Sequence, residues 1–264
     1  MNSEPLKNRT IFTTRTPDTA DKLAEPLRRY GATVYNLPTI EIQPAAFSSE
    51  IEHVLNNIHN FDWLLFTSQN GVRYFLELYK KVHPSGQLPS GLQIGVYGQK
   101  SASCLTENGI KPDYVSKAKI SDNFFRHLQE KLFRKNQHVL LAMGNMASYK
   151  YEKYFEGFVN CSRLIVYHNT IPRHVDRELL SKITADDYDM IVFTSPSTFN
   201  NLVYLTQNEI SPEKIRAASI GTTTKKAIES QGGNLLLTAR RPNIKTLIED
   251  IVQYFHAGDQ LIVE

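Results

Sequence analysis

The chain has 264 residues, 41% hydrophobic and 22% charged, the proportions of a globular protein of one large or two medium domains. Its 30 basic and 27 acidic side chains leave a net charge of +3, too weak a field to argue for a nucleic-acid partner. Cys104 and Cys161 stand far apart, no apolar stretch approaches the ~18–20 residues of a membrane helix, and Met1 to Arg9 carries no signal-peptide core, so the expectation is a reduced, cytoplasmic setting.

In chain order, residues 10–13 predict a first strand, and Thr16-Pro17-Asp18 opens a helix with Leu23 and Leu27 inward, ended at Tyr30-Gly31. Residues 32–37 form a second strand that Pro38 stops, and 38–44 reads as an extended crossing between domains. A helix from Ser48-Ser49-Glu50 runs to about Ile58. Residues 83–91 are a loop by composition, 92–97 a strand, and 100–108 a helix that Gly109 ends. After a short strand at 114–115, Ser121-Asp122 caps a long helix with Phe124, Phe125, Leu128 and Leu132 on one face. Strand 138–142, a turn at Met143-Gly144-Asn145, helix 148–156 and strand 162–167 lead to a second crossing at 169–172. Helices at 175–183, 222–230 and 244–255 and strands at 217–220 and 235–238 follow, with 256–264 as a tail.

One segment is written twice. Residues 61–78 and 188–205 match at Asp62/Asp189, Phe66/Phe193, Thr67/Thr194, Ser68/Ser195 and Leu78/Leu205, all at an offset of 127 residues. In each, a short apolar run suits a strand covered on both faces, and small hydroxyls stand where a helix begins. Ser195 or Ser197 caps the second of these helices, with Pro196 in its first turn. A further pair agrees: 94–98 and 218–221 each precede a segment rich in small residues. From 45 to 166 there are five strands and from 174 onward only three, so the second sheet needs the two N-terminal strands. The expectation is an α/β protein of two similar domains, each a parallel β-sheet flanked by helices, joined by two extended linkers. Residues 1–38 with 173–264 make a discontinuous domain, and 39–172 is inserted into it, the pair hinging about a cleft.

The chemical motifs are mostly negative. There is no G-x-G-x-x-G, and Gly95-Val-Tyr-Gly98-Gln-Lys-Ser lacks P-loop spacing. His168 and His174 have no third ligand beside them, which predicts no metal site, and Ser195 has no assignable base. What recurs is the strand-end turn: Thr13-Thr14-Arg15, Thr67-Ser68, Gly98 to Ser101, Gly144-Asn145, Thr194-Ser195 and Gly221 to Thr224. Each alone reads first as a helix cap. Together they suit a ligand with many carboxylates, because each helix N-terminus stabilises an anion by ~0.3–1 kcal/mol.

The chain resembles the uroporphyrinogen-III synthase family over nearly its whole length, to about Phe255. The resemblance is carried by Thr-Arg with Pro two residues later at 14–17, Tyr-Asn-Leu-Pro at 35–38, Phe-Thr-Ser-x-Asn-Gly-Val at 66–72, Gly-Asn at 144–145 and Val-Tyr-His-Asn-Thr at 166–170. The most specific pieces are Phe-Thr-Ser-Pro-Ser at 193–197 and Ile-Gly-Thr-Thr-Thr-Lys-Lys-Ala at 220–227. The resemblance implies cyclisation of hydroxymethylbilane with loss of water and inversion of ring D, through a spiro-pyrrolenine, without cofactor or metal. It implies a small-molecule substrate with eight carboxylates, and no nucleic-acid or membrane partner; nothing suggests an obligate interface, and a monomer is expected. Tyr167 matches the family's linker tyrosine, either the acid that assists hydroxyl departure or a packing residue. Carboxylates would be bound by Arg15, Thr67, Ser68, Asn70, Gly98, Ser101, Gly144, Asn145, Thr194, Ser195, Ser197, Gly221, Thr223 and Thr224. Many members carry an arginine just after the Gly-Asn pair; here the run is Met-Ala-Ser-Tyr-Lys, with Lys150 as its stand-in. The competing expectation is a two-domain protein that binds a small molecule, or regulates, without chemistry.

Overall fold

The computed structural model describes residues 4–117, 121–206 and 209–260. The chain divides into two compact units, Met1–Glu41 with Thr170–Glu264, and Ile42–Asn169.

β1 (Thr10–Thr13), α1 (Pro17–Arg29) and β2 (Thr33–Asn36) open the chain. Pro17 takes the first helical turn, where an N–H would have no partner, and Gly31 follows the helix at φ +96°. β3 (Glu41–Pro44) precedes α2 (Ser49–Asn56), whose cap Ser48 accepts from the Ile51 N–H. β4 (Trp63–Phe66), α3 (Gln69–Val82), β5 (Gln93–Tyr97), α4 (Gln99–Glu107) and β6 (Tyr114–Ser116) then alternate as the hydrophobic pattern predicts.

From here the structure corrects several expectations. α5 (Ser121–His127) passes into a π-helical turn at Leu128–Leu132, and the wider turn leaves Leu132 exposed while Phe133 is buried. The capping side chain expected from Ser121 lies outside the described residues. β7 (His138–Gly144) includes Met143 and Gly144, read from sequence as a turn, because β8 (Asn160–Thr170) continues beside it to pair Gly144 with Tyr167. α6 (Lys150–Lys153) is a single turn where a helix over 148–156 was expected; turns at 154–158 and Gly157 at φ +74° end it early. Asn169 and Thr170, expected in a crossing, belong to β8, which lies next to β3. α7 (Arg177–Thr184) is capped by Asp176, and β9 (Met190–Phe193), α8 (Pro196–Leu205), β10 (Ala217–Ser219), α9 (Thr222–Ser230) and β11 (Leu235–Thr238) follow. α10 (Ile244–Gln260) carries on through residues expected as a tail, whose last four lie outside the described residues.

Unit 42–169 has the strand order β3-β8-β7-β4-β5-β6, and β8, β7, β4, β5 and β6 pair in parallel. The other unit has the order β11-β10-β9-β1-β2, parallel throughout. Matching β4 to β9 brings β5 onto β10 and β7 onto β1. The first two strands of the chain therefore fill positions that, in the other unit, come late in sequence. One sheet is a circular permutation of the other.

Side chains alternate across each sheet. Leu64, Phe66, Ile94, Val96, Leu140 and Ala142 pack on one face of the larger sheet, and Trp63, Leu65, Val139, Leu141 and Met143 on the other. In the second sheet Ile11, Met190, Val192 and Ala218 oppose Phe12, Ile191, Phe193 and Ala217 in the same way. β4 and β9 are buried at every position, as central parallel strands must be. Among the described residues no helix is long and apolar enough to cross a membrane.

Candidate functional site

Parallel strands present their carboxyl ends along one edge, and the strand-end turns singled out in the sequence line that edge in each unit. In unit 42–169, Thr67 and Ser68 follow β4, Asn70 is the second residue of α3, and Gly98 leads into α4 at φ +82°, ψ 151°. Gly144 ends β7 and Asn145 follows it. Tyr167 stands in β8 beside Gly144. In the other unit Thr13 ends β1 and Thr14 and Arg15 follow it, Thr194 and Ser195 follow β9, and Gly221 leads into α9.

The repeated turns have one geometry. Ser68 caps α3 by accepting from Gly71 N–H at 3.0 Å, and Ser195 caps α8 by accepting from Thr198 N–H at 3.4 Å. Their backbones sit at φ −152°, ψ 155° and φ −156°, ψ 158°. Of the two serines that sequence left open, the capping residue is Ser195, while Ser197 Oγ lies 3.0 Å from Ser195 Oγ.

Tyr167 is where unit 42–169 departs from the pattern. Its hydroxyl is 3.3 Å from Ser68 Oγ, and its ring centroid lies 5.7 Å from that of Tyr74. The ring lies so close over Gly144 that a Cβ there would stand 2.5 Å from Tyr167 Cε2 and Cζ. Tyr74 is held in turn, its hydroxyl donating to Ile42 O and accepting from Arg73 Nη2. The phenol is thus half-buried and directed by three neighbours.

Other expected residues are placed less openly. Ser101 and Thr224, in the first turns of α4 and α9, are buried, whereas Thr223 is exposed. Arg15 folds back so that its Nε donates to Thr19 O at 3.1 Å, and burial lowers its pKa against the opposing pull of Asp18. Lys150 is engaged by Asp122 at 2.7 Å, a hydrogen bond that raises the ammonium pKa.

Several supports escaped the sequence reading. Arg163 on β8 pairs with Glu152 through Nε and Nη2, donates to the carbonyls of Ala147 and Ser148, and lies 4.2 Å over the Tyr149 ring. It secures the loop after Asn145 from beneath. Asn145 clasps the backbone of Asn169 through both amide atoms, at 2.8 and 3.3 Å. Asn36 accepts from Thr13 Oγ1 at 2.6 Å and donates to Arg15 O, bracing the turn after β1. Asn36 and Asn169 sit inside quoted segments, 35–38 and 166–170, which was their only signal. No group of three or more His, Cys, Asp or Glu suited to a metal occurs among the described residues.

Known proteins resemble the chain in sequence and in fold. The model of the family described as uroporphyrinogen-III synthase HemD matches residues 21–249. A porphyrin biosynthesis protein HemD of Ruminiclostridium josui is 24% identical over 95% of the chain, which spans about half (49%) of that relative's length. A uroporphyrinogen-III synthase of Synechococcus elongatus is 24% identical over 96% of this chain and 98% of its own. In fold, the crystal structure of the Helicobacter pylori uroporphyrinogen-III synthetase superposes with a TM-score of 0.64 at 18% identity, covering 93% of this chain and 99% of that one. With most of its length matched by the family model, the chain belongs to the uroporphyrinogen-III synthase HemD family.

Proposed function

We propose that this chain performs the family's reaction, closing linear hydroxymethylbilane to uroporphyrinogen III with loss of water and inversion of ring D. The observation that carries the reading is Tyr167: a half-buried phenol at the carboxyl edge of a sheet, seated against Gly144 and within 3.3 Å of Ser68. The phenol gives its proton to the departing hydroxyl, so that water and not hydroxide leaves, a form of assistance that contributes ~10²–10⁴-fold to rate. Bond formation at the closing pyrrole carbon releases that carbon's hydrogen as a proton, which restores the phenol.

The two domains, 1–38 with 173–264 and 39–172, each supply strand-end turns to the eight carboxylates. Free N–H groups at the starts of α3, α4, α8 and α9 receive anions without a strongly basic surface. The substrate also closes unaided to the symmetric isomer, so a large part of the protein's task is to hold one geometry. The protein acts as a cytoplasmic monomer that needs no cofactor or metal.

The competing reading is a protein of the same fold that binds a small molecule without chemistry. Incubation with hydroxymethylbilane and separation of the isomers decides between them. Predominant isomer III, formed faster than the spontaneous background, is the expected result; isomer I at the background rate overturns the reading.

A further inference from the structure

Ser68 has one hydroxyl hydrogen and two acceptor positions. One acceptor is taken by the Gly71 N–H at 3.0 Å, the cap of α3, and Tyr167 Oη stands 3.3 Å away. The corresponding serine in the other unit, Ser195, besides accepting from the Thr198 N–H, meets hydroxyls of its own turn, those of Ser197 and Thr198. Of the two matching turns it is therefore the one in unit 42–169 whose capping hydroxyl reaches a phenol. Motion of the phenol is restricted as well, by Gly144 beneath the ring and Tyr74 beside it.

We propose that Ser68 is the positioning residue for Tyr167: its hydroxyl donates to the phenol oxygen and leaves the phenol O–H turned toward the substrate. This rests on the reading of Tyr167 as the acid. A phenol that donated to Ser68 would have its proton engaged inside the protein. With Ser68 as donor, the chain of bonds runs from Gly71 N–H to Ser68 Oγ and from Ser68 O–H to Tyr167 Oη, each polarising the next. When the phenol O–H bond breaks, its electron pair stays on Oη, where the Ser68 hydrogen bond strengthens. The C–O bond of the hydroxymethyl group breaks with its pair going to oxygen, and water leaves. The α3 N-terminus, reached through Ser68, stabilises the charge that develops. On this reading the Ser68 hydroxyl acts through Tyr167 rather than as a carboxylate ligand.

Four variants of the full chain test this: Ser68→Ala, Ser68→Thr, Ser68→Asp and Ser68→Ala combined with Tyr167→Phe, beside Tyr167→Phe alone. Ser68→Asp keeps an acceptor for the Gly71 N–H, so its melting temperature should stay near the parent's, but an ionised carboxylate has no hydrogen to donate. The expected result is kcat lowered ~10–100-fold in the alanine and aspartate variants, with KM and uroporphyrinogen III affinity nearly kept in alanine and weakened in aspartate by the charge it places at the start of α3. Threonine should restore kcat to within ~3-fold of the parent, and the double variant should be no slower than Tyr167→Phe alone. Near-normal kcat in Tyr167→Phe would remove the acid and, with it, the reading of the reaction on which this rests. A slow Tyr167→Phe beside a fast Ser68→Asp would overturn the positioning role alone. So would a Ser68 effect that persists in the Tyr167→Phe background, or one that appears in KM rather than kcat.

Discussion

The turns after β4 and β9 share their backbone and differ in what their serines meet. The strand leading into each is preceded by an aspartate that holds the neighbouring strand: Asp62 Oδ2 accepts from His138 N–H and Asp189 Oδ2 from Thr10 N–H, both at 2.7 Å. Each ends with a serine capping the next helix. Beyond the cap they part. Ser68 reaches a tyrosine on β8, whereas Ser195 stays among the hydroxyls of Ser197 and Thr198. β8 makes this difference possible. It extends to Thr170, while its counterpart β2 stops at Asn36, whose amide braces Thr13 and Arg15. The two turns thus share one capping geometry, and in one of them the capping serine also reaches a phenol.

The sharpest way to break this comparison is to remove the difference. Tyr167→Phe deletes one hydroxyl from unit 42–169 and leaves the ring against Gly144 and Tyr74. Turnover should fall by ~10²–10⁴-fold with product affinity nearly kept, measured by isomer-resolved kinetics and equilibrium binding of uroporphyrinogen III. Isomer III should still dominate what enzymatic product forms. Near-normal turnover would make Tyr167 a packing residue, and the two turns functionally alike.

A smaller blow displaces the tyrosine without removing it. Gly144→Ala puts a methyl 2.5 Å from the ring carbons of Tyr167, and the aromatic ring is the movable partner. Turnover should drop by about 10²-fold, the scale of a ~1 Å misplacement, while urea unfolding shifts modestly because the ring can swing aside. If stability collapses and the residual folded enzyme turns over normally, Gly144 serves strand packing alone.

How much of this was legible beforehand follows from the range of the forces involved. The 127-residue repeat, the buried strands β4 and β9 and the Ser68 cap are written in a few adjacent residues, so periodicity and capping rules find them. The role of Gly144 depends on Tyr167, 23 residues later, and the loop after Asn145 depends on Arg163 from the neighbouring strand. Neither carries a local signature. The short α6 and the long β8 were missed for the same reason. Pairing with a neighbour and an arginine beneath the loop set their lengths, and these override helical spacing over 148–156.

The glycines that open α4 and α9 give a finer contrast. Gly98 sits at φ +82°, ψ 151°, a region nearly closed to side chains, although a Cβ there would meet nothing within 4 Å. Gly221 is extended at φ 178°, open to any residue, and a Cβ would stand 3.2 Å from Pro242 Cβ. Gly98→Ala should therefore destabilise by ~1–3 kcal/mol through backbone strain, and Gly221→Ala by less than ~1 kcal/mol. Thermal melts of the two variants side by side check this. Equal losses would mean that the two turns share a constraint the dihedral angles do not reveal.

The smallest effect belongs to Trp63, in the core beneath one of these turns. Trp63 opens β4 where Met190 opens β9, and both are buried. The methionine has no strong donor to satisfy, but the indole Nε1–H of Trp63 is enclosed without an acceptor among the described residues. Its ring packs against Phe133 with centroids 5.3 Å apart. Trp63→Phe has two opposed consequences. It removes an orphaned donor, whose burial costs ~1–3 kcal/mol, and it opens space that costs a similar amount because the site relaxes only in part. The two should nearly cancel, leaving the unfolding free energy from urea titration within about 1 kcal/mol of the parent at unchanged m. In the other unit Met190→Ala has no such offset and should lose ~2–5 kcal/mol. A loss of several kcal/mol in Trp63→Phe would show that the indole's packing outweighs its unmet hydrogen bond, and that β4 is held more tightly than its twin.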